Sequence, residues 1–265
     1  MCDDKSMTAT DTFNSDGSRT ARAGLEQTGH GYAERPIEGS TELFNCLWKS
    51  TSSHKSGDAP KRIIPDLCAD FIVDSTGKSW LVGPATTADL VTITPGATLW
   101  GIRINPPALR SVLGTEAEGV RDSKISFADV LSSKQSRLLA EALRTERVDA
   151  RMLEVLWPNA HLDAHAMSGY NALTAAPSTS IREITADLGI SERHFRRTIS
   201  TSVGLSPKMI QKVQRMQNVL ALARHENASL STLAAHTGYA DQAHLSRDIQ
   251  ALTGVTPTRL LRDHG

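Results

Sequence analysis

The last third of the chain contains one sequence pattern twice. The segment 181–190 reads IREITADLGI and the segment 230–239 reads LSTLAAHTGY, so that apolar residues and a glycine recur in the same order. Matching positions lie 49 residues apart up to this glycine and 50 residues apart after the turn, because one residue has been inserted. Self-similarity at a nearly fixed spacing indicates a repeated structural unit. The chain is therefore expected to fold this region as two copies of one unit.

Each copy predicts a helix-turn-helix. In the first copy, Ser180 and Glu183 form a capping-box pattern at the start of a helix, and Gly189 supplies the positive φ of the turn. Ser191 then caps a second helix. A proline opens a further helix after each copy, and the first of these, from Pro207 to about Arg224, predicts a linker helix of roughly 25 Å. The residues of the second copy that correspond to the two caps and the turn are Ser229, Asp241 and Gly238.

The second helix of each copy would turn its apolar residues inward and leave polar residues outside. The inward residues are Phe195 and Ile199 in the first copy and Leu245 and Ile249 in the second. The polar residues on and beside the outer face are mostly long hydrogen-bond donors: Arg193, His194, Arg196 and Arg197 in the first copy, and Gln242, His244, Ser246 and Arg247 in the second.

The charge distribution favours an anionic partner for this region. Residues 178–265 hold 11 Lys and Arg against 7 Asp and Glu, whereas residues 1–177 hold 18 against 22. A single helix-turn-helix pattern has an ordinary alternative, in which two helices pack within a helical protein and the arginines are merely solvated. Two matched copies on the basic end of the chain favour nucleic acid over that alternative.

Residues 160–265 resemble the DNA-binding domain of the AraC/XylS-type bacterial transcription regulators. The most specific stretch runs from Gly238 to Pro257, and Arg215-Met216 matches the linker helix of that family. The resemblance implies two helix-turn-helix units bridged by one long helix, each with its second helix in the major groove of DNA. It also implies that the eight polar residues named above contact bases or phosphates. The departures from the family are Ile199, Leu245 and Ile249, where aromatic residues are common, and Ala243, where a polar residue is common.

The N-terminal part divides into a polar tail, a β region and a helical region. Residues 1–38 are rich in Ser, Thr, Asp and Gly and lack apolar periodicity, which predicts a disordered tail. Between about residues 42 and 105, short β-branched segments separated by turn residues predict an antiparallel β module. The expected strands are 43–48, 62–64, 71–73, 80–82, 90–93 and 98–104, and the expected helices are 107–113, 127–131, 134–146 and 150–156.

This part is similar, less specifically, to the sensor-like domain of one AraC-type subgroup. The matching pieces are residues 64–72, 82–84, 94–97 and 102–104. The resemblance implies a small cupin-like β structure that binds an effector or mediates dimerisation. From the residues themselves we expect four bulky side chains to come together in the β module, around either a ligand mouth or a solid core: Trp48, Phe71, Trp80 and Trp100.

Together these patterns predict an α+β chain with three parts. They are a disordered tail at residues 1–38, a β-rich sensor or dimerisation domain with trailing helices at residues 39–157, and an all-α double helix-turn-helix domain with a long linker helix at residues 158–265. We expect a sequence-specific transcription factor that binds double-stranded DNA, with a small-molecule effector, RNA polymerase and a second copy of the chain as further candidate partners. The alternative is a small-molecule-binding or catalytic β domain whose helical tail mediates protein contacts.

Other candidate sites are weaker. Gly-rich phosphate loops and the motifs G-x-S-x-G and H-E-x-x-H do not occur, so we expect no enzyme, no catalytic residues and no cofactor. His161 and His165 have a spacing that can hold a metal, but without a third ligand nearby we expect no metal site. The carboxylates that flank Cys68 disfavour a reactive thiol there. We expect a cytoplasmic protein without a membrane contact, because no apolar run approaches the roughly 20 residues that cross a bilayer.

Overall fold

An antiparallel sheet of six strands dominates the N-terminal part of the chain. The structure is a computed structural model that describes residues 30–39, 41–53, 60–225 and 228–264. The six strands are β1 (His30–Arg35), β2 (Phe44–Ser52), β4 (Ala69–Asp74), β5 (Ser79–Val82), β7 (Thr98–Ile104) and β8 (Lys124–Ser126). Their order in the sheet is β1-β2-β7-β4-β5-β8. Two further strands, β3 (Lys61–Ile63) and β6 (Asp89–Val91), pair with each other in a separate ribbon.

Helices make up most of the described chain after β7, and β8 lies between α1 and α2. The N-terminal part continues through α1 (Leu109–Leu113), α2 (Phe127–Val130), α3 (Ser133–Arg144) and α4 (Ala150–Leu156), and α5 (Ala164–Ala175) leads into the C-terminal part. The first unit is α6 (Ile181–Asp187) with α7 (Glu192–Val203), and the second is α9 (Leu230–His236) with α10 (Gln242–Thr253). The linker helix α8 (Pro207–His225) joins the two units, and α11 (Pro257–His264) follows them. The expected fold class, a β module with helices followed by an all-α double helix-turn-helix, is confirmed.

Strand β1 corrects the predicted extent of the disordered tail. The prediction is wrong for residues 30–38, since His30–Arg35 pairs with β2 along its whole length. Ile37 is buried, and Glu38 forms a bridge to Asp149. The sequence HGYAER lacks a clear apolar alternation, so its strand conformation comes from backbone pairing with a neighbour that is distant in the chain. Residues 1–29 of the predicted tail lie outside the described residues.

The N-terminal core lies between one face of the sheet and helices α1 to α4. Phe71 is fully buried there and packs edge-on against Phe127, with ring centroids 5.3 Å apart. Trp157 stacks on Phe71 at 5.8 Å and so closes this core from the segment that leads toward α5. Aromatic contacts of this kind add to the apolar area that the core buries.

The four aromatic residues expected to gather in the β module do not form one cluster. Side chains alternate along a strand, and the cross-strand pairs place Phe71 beside Ile102 but Trp48 beside Gly101. Trp48 therefore lies on the face opposite to Phe71, where its Nε1 donates to Asp70 (2.9 Å). Trp80 also lies on that opposite face, since it pairs with Ile72. The expectation of a common aromatic interior is wrong because strand parity places Trp48 and Trp80 on the face opposite to Phe71 and Trp100.

The C-terminal core contains residues from both parts of the chain. It surrounds α8, whose Ile210, Val213 and Met216 are fully buried. Ile64 and Leu67, from the loop between β3 and β4, are buried in this same core. Gln217 of α8 donates its Nε2 to the carbonyl oxygen of Pro65 (2.5 Å). The N-terminal part is thus packed onto the linker helix between the two units.

Candidate DNA-binding surface

The first unit presents a polar face on α7 because both ends and the inner face of this helix are fixed. The Ser191 hydroxyl accepts from the backbone N–H of His194 (3.2 Å) and caps the helix. Phe195 and Ile199 are buried on the inner face, as expected. Because Phe195 and Ile199 face inward, the candidate residues lie on or beside the outer face of α7. Arg193, His194 and Arg197 are exposed, and Arg196 is half-buried.

The arginines of α7 differ in their partners. Arg196 forms an ion pair with Glu192 one turn earlier, with Nη2 and Oε2 2.9 Å apart and both side chains more than 40% exposed. Within the described part of the chain, Arg193 and Arg197 have no ion-pair partner. Two cationic side chains on the outer face are therefore available to an anionic ligand without breaking an existing pair.

The second unit repeats this local structure on α10. Asp241 caps the helix by accepting from the backbone N–H of His244 (2.6 Å), and Leu245 and Ile249 are buried on the inner face. Gln242 and Arg247 are exposed. His244 and Ser246 are half-buried, so the four candidate residues of this unit divide into two outward and two partly covered side chains.

His244 is held against its own unit. Its ring meets that of Tyr239 edge-on, with centroids 5.1 Å apart. Its Nδ1 lies 3.4 Å from the backbone nitrogen of Ala240, and its Nε2 lies 3.6 Å from a carboxylate oxygen of Asp248. These contacts orient His244 at the start of α10, and they reduce the freedom of its ring to reach outward.

Arg215 of the linker helix connects the two units. Its Nη1 donates to the carbonyl oxygen of Pro177, which precedes α6, at 2.9 Å. Its Nη2 lies 3.3 Å from Asp248 of α10, and Lys212 contacts the same carboxylate at 3.2 Å. The sequence predicts Arg215 on the linker helix but does not predict these contacts. An arginine on a helix with many apolar neighbours is the signal that points to a buried partner.

Tyr239 is buried and lies next to the guanidinium of Arg215. The guanidinium of Arg215 lies 5.2 Å from the centre of the Tyr239 ring. Burial of the phenol, together with the nearby Asp248 carboxylate, raises the pKa of Tyr239 well above its usual value, while Arg215 acts in the opposite direction. Tyr239 therefore stays neutral and serves as part of the wall on which His244 rests.

The C-terminal ends of α7 and α10 both contact the N-terminal part. At the end of α10, the backbone N–H of Ala88 donates to the carbonyl of Leu252 (2.7 Å), and Arg62 Nη1 donates to that of Thr253 (2.6 Å). A cation at a helix C-terminus also interacts favourably with the helix dipole. Helix α7 packs against α1 and against the 3-10 turns Pro106–Ala108 and Ala117–Val120. A Cβ at Gly204, directly after α7, would lie 2.8 Å from the carbonyl oxygen of Ala117. The N-terminal part thus contacts each outer helix at its C-terminal end.

The weaker candidates from the sequence remain separate from this surface. Among the described residues, no group of three or more His, Cys, Asp or Glu side chains is close enough to hold a metal ion. Cys68 is half-buried, and its thiol donates to the carbonyl of Asp66 (3.3 Å). Asp70 lies 3.3 Å from the buried Arg103 guanidinium. None of the described helices combines the length and the apolar composition that a membrane crossing requires.

Two family models match the chain. One is described as a helix-turn-helix domain and matches residues 184–263, which include both units except the first three residues of α6. The other is described as a domain of unknown function (DUF6597) and matches residues 36–126, which include most of the sheet. A helix-turn-helix model therefore matches the region in which the structure places the two units.

Known proteins give partial matches. The invasion protein InvF of Salmonella typhimurium is 29% identical over 98 residues, which are 37% of this chain and 45% of InvF. The chain thus matches less than half the length of this curated relative. Among solved structures, ToxT from Vibrio cholerae has a TM-score of 0.40 and 13% identity over 88% of this chain and 97% of that chain. The C-terminal domain of AraT from Geobacillus stearothermophilus has a TM-score of 0.37 and 18% identity over 39% of this chain and 88% of that chain.

Proposed function

We propose that this chain, whose C-terminal region matches a helix-turn-helix domain model, is an AraC/XylS-type, sequence-specific DNA-binding transcription regulator. The observation that carries the proposal is the repeated outer helix. In both units an apolar inner face and a capped start leave an exposed arginine at the same position, Arg197 in α7 and Arg247 in α10. Two such helices on one rigid linker suit a ligand that presents the same feature twice, as the major groove of DNA does.

The dimensions of the linker fit this arrangement. Helix α8 has 19 residues, which corresponds to a length of about 28 Å. Successive major grooves on one face of DNA are about 34 Å apart, and an outer helix can extend from each end of the linker toward its own groove. α7 and α10 are therefore proposed to be the recognition helices, in neighbouring grooves.

The proposed contacts follow from the chemistry and exposure of each side chain. Arg193 and Arg197 contact phosphates or guanine edges, since they are exposed and have no ion-pair partner within the described residues. Arg247 is proposed to do the same, and Gln242 suits an adenine edge. Four residues are proposed to contribute less directly: His194, Arg196, His244 and Ser246.

The N-terminal part is proposed to sense an effector or to mediate dimerisation. The supporting observation is that it contacts both recognition helices at their C-terminal ends and the linker helix between them. A change in the N-terminal part is therefore able to alter the relative position of the two recognition helices. The proposal includes a cytoplasmic location, while RNA polymerase and a second copy of the chain remain candidate partners.

A gel-shift titration of the full chain against a pool of genomic DNA fragments tests this proposal. We expect a few fragments to bind at least about 1000-fold more tightly than the bulk, with affinities that fall as salt is raised. Arg197→Ala should weaken binding to the selected fragments, whereas Arg151→Ala, an exposed arginine on α4 outside both units, serves as a control with the same loss of charge. If no fragment is preferred, the alternative function is favoured, in which the helical region mediates protein contacts.

A further inference from the structure

The segment that precedes α6 touches the second unit directly. It consists of residues 177–179, and we call it the entry segment. A Cβ at Gly238, in the turn of the second unit, would lie 1.8 Å from the Oγ of Ser178 and 3.1 Å from its Cβ. Glycine is therefore needed there for space as well as for its positive φ of 80°. The two units are in contact at this point, in addition to being joined by the linker helix.

The linker helix holds the entry segment through two backbone carbonyl oxygens. Arg215 Nη1 donates to that of Pro177 (2.9 Å), and Gln211 Nε2 donates to that of Thr179 (2.7 Å). Gln211 and Pro177 are buried, so water competes little for these hydrogen bonds. The first unit is thus tied to α8 at the residues that lead into α6.

The same arginine ties α8 to the second unit. Its Nη2 lies 3.3 Å from Oδ2 of Asp248 on α10, and both side chains are 15% exposed. A guanidinium is planar and rigid, so a fixed position for one of its nitrogen atoms restrains the others. Pro177, Arg215 and Asp248 therefore form one connection from the first unit through the linker helix to the second unit. We call this connection the inter-unit brace.

The inter-unit brace and the N-terminal part hold different parts of α10. The N-terminal part holds the last residues of this helix, through the backbone carbonyls of Leu252 and Thr253. Asp248 lies near the middle of α10, next to Arg247 in sequence, and Gly238 precedes the start of the helix. The brace and the turn contact thus restrain the half of α10 that is proposed to enter the DNA groove.

We propose that Arg215 and Asp248 are positioning residues, which set the relative orientation of the two recognition helices and so the spacing of the two DNA half-sites that the chain accepts. This inference rests on the proposed function. One turn of DNA is about 34 Å and about 10 base pairs, so each added base pair moves a half-site by about 3.4 Å and rotates it by about 35°. Two braced helices lose contacts after such a change, whereas two helices joined by α8 alone can tilt to follow it.

The test compares DNA fragments that differ in half-site spacing. A fragment selected by the full chain is footprinted to locate its two contacted segments, and one base pair is then inserted or removed between them. We expect the wild type to bind the altered fragments at least about tenfold more weakly, comparable to the loss of one or two base contacts. This ratio is the discrimination of the protein. A general loss of stability leaves it unchanged, because both affinities belong to the same protein.

Arg215→Met keeps a long side chain on α8 but removes both arms of the brace. We expect it to bind the original fragment about two- to fivefold more weakly, because its recognition helices are less well preorganised. Its discrimination should fall below about threefold. Asp248→Ala removes the acceptor on α10 and should lower the discrimination in the same way. Circular dichroism and the melting temperature check that each variant is folded.

Lys212→Met is the matched control. Lys212 contacts the same carboxylate of Asp248 at 3.2 Å, but within the described residues it forms no hydrogen bond to the entry segment. Its replacement removes the same charge from α8 and should leave the wild-type discrimination. Wild-type discrimination in a folded Arg215→Met or Asp248→Ala variant, or an equal loss in Lys212→Met, would overturn the inference.

A measurement without DNA separates this inference from the proposed function. Spin labels are attached to Arg193→Cys on α7 and Ala243→Cys on α10, both exposed positions, in a full chain whose three native cysteines are replaced by serine. Pulsed electron resonance should give one narrow distance distribution, which broadens in Arg215→Met and stays narrow in Lys212→Met. Distributions of equal width in all three proteins would overturn the brace. If no fragment is selected, the proposed function fails, and these distances still decide whether Arg215 fixes the orientation of the units.

Discussion

Helices α7 and α10 occupy the same place in the two units, but their charged side chains have different partners. On α7, Arg193 and Arg197 have no ion-pair partner in the described chain, and the pair between Arg196 and Glu192 is exposed. On α10, Asp248 pairs with Lys212 and Arg215 of the linker helix, and all three side chains are at most one quarter exposed. The first unit keeps its charge on the surface. The second unit uses part of its charge to attach itself to α8.

The turns of the two units show a similar contrast. Gly189 and Gly238 both have positive φ, at 67° and 80°, so both turns need the same backbone conformation. A Cβ at Gly189 would meet no atom within 4 Å, whereas one at Gly238 would lie 1.8 Å from the hydroxyl of Ser178. The copies therefore share their backbone requirements and differ in how closely the rest of the domain approaches them. Four predictions test this difference, beginning with the largest expected effect.

Gly238→Ala should destabilise the protein more than Gly189→Ala does. Both substitutions place a Cβ in the left-handed region, at a cost of about 1 to 2 kcal/mol. Gly238→Ala adds a clash with Ser178, so we expect a total loss of about 2 to 4 kcal/mol in the free energy of unfolding. Urea unfolding followed by circular dichroism measures both variants. Equal losses would show that the domain near Ser178 yields to the new methyl group.

Arg197→Ala should weaken binding to a selected DNA fragment more than Arg247→Ala does. We expect a loss of about 1 to 3 kcal/mol at Arg197 and of less than about 1 kcal/mol at Arg247, because the first unit supplies more unpaired charge. Fluorescence anisotropy with labelled DNA measures both affinities, and an unrelated fragment reports non-specific binding. A larger loss at Arg247 would reverse the assignment of the dominant unit. Wild-type affinity of Arg197→Ala would mean that the first unit does not read DNA.

Asp248→Asn should destabilise the protein more than Glu192→Gln does. Removal of the Asp248 charge leaves Arg215, a side chain 15% exposed, without its carboxylate partner. We expect a loss of about 1 to 2 kcal/mol, below the 3 to 5 kcal/mol typical of a fully buried pair, because water still screens this group. Glu192→Gln breaks only an exposed pair, and its cost should stay below about 0.5 kcal/mol. The unfolding free energies of the two variants, measured at one salt concentration, decide whether the second unit depends on its ion pairs.

The fourth prediction, which has the smallest expected effect, concerns the first turn of α6 and of α9. Hydrogen bonds from the Ser180 side chain and backbone lower the pKa of Glu183, whereas the second unit has Thr232 at this position. A lowered folded-state pKa means that the contribution of Glu183 is fully present above its unfolded value near 4.5. The contribution is lost as the pH falls through the folded value. The melting temperature of the wild type should therefore exceed that of Glu183→Gln near neutral pH, and the gap should close in acid. A gap that does not change with pH would argue against the capping box.

Local signals account for the elements that the sequence predicted. Serine and aspartate caps, turn glycines and apolar spacing act within a few residues, and they located both units and the linker helix. Strand β7 (Thr98–Ile104) and helix α4 (Ala150–Leu156) have the expected boundaries for the same reason. Of the candidate side chains on α7 and α10, five are exposed and three are half-buried.

Non-local contacts account for what the sequence missed. Strands β1 and β8 are short edge strands of polar composition, and only their partners in the sheet make them strands. The burial of Ile64 in the C-terminal core, and the attachment of Arg62 to the end of α10, depend on how the N-terminal part packs against the units.

The amino-acid sequence by itself determined the repeat, the two capped and glycine-turned units, and the positions that would carry outward charge. Only the tertiary structure decided which charged side chains of the two units are paired. Asp248 of α10, for example, pairs with Arg215 of the linker helix, 33 residues away in the chain. It also decided that Ile64 and Leu67 of the N-terminal part lie in the core around α8. The physical reason is the same in each case. Caps and turns depend on neighbours in sequence, whereas ion pairs and shared cores depend on which distant segments are brought into contact by packing.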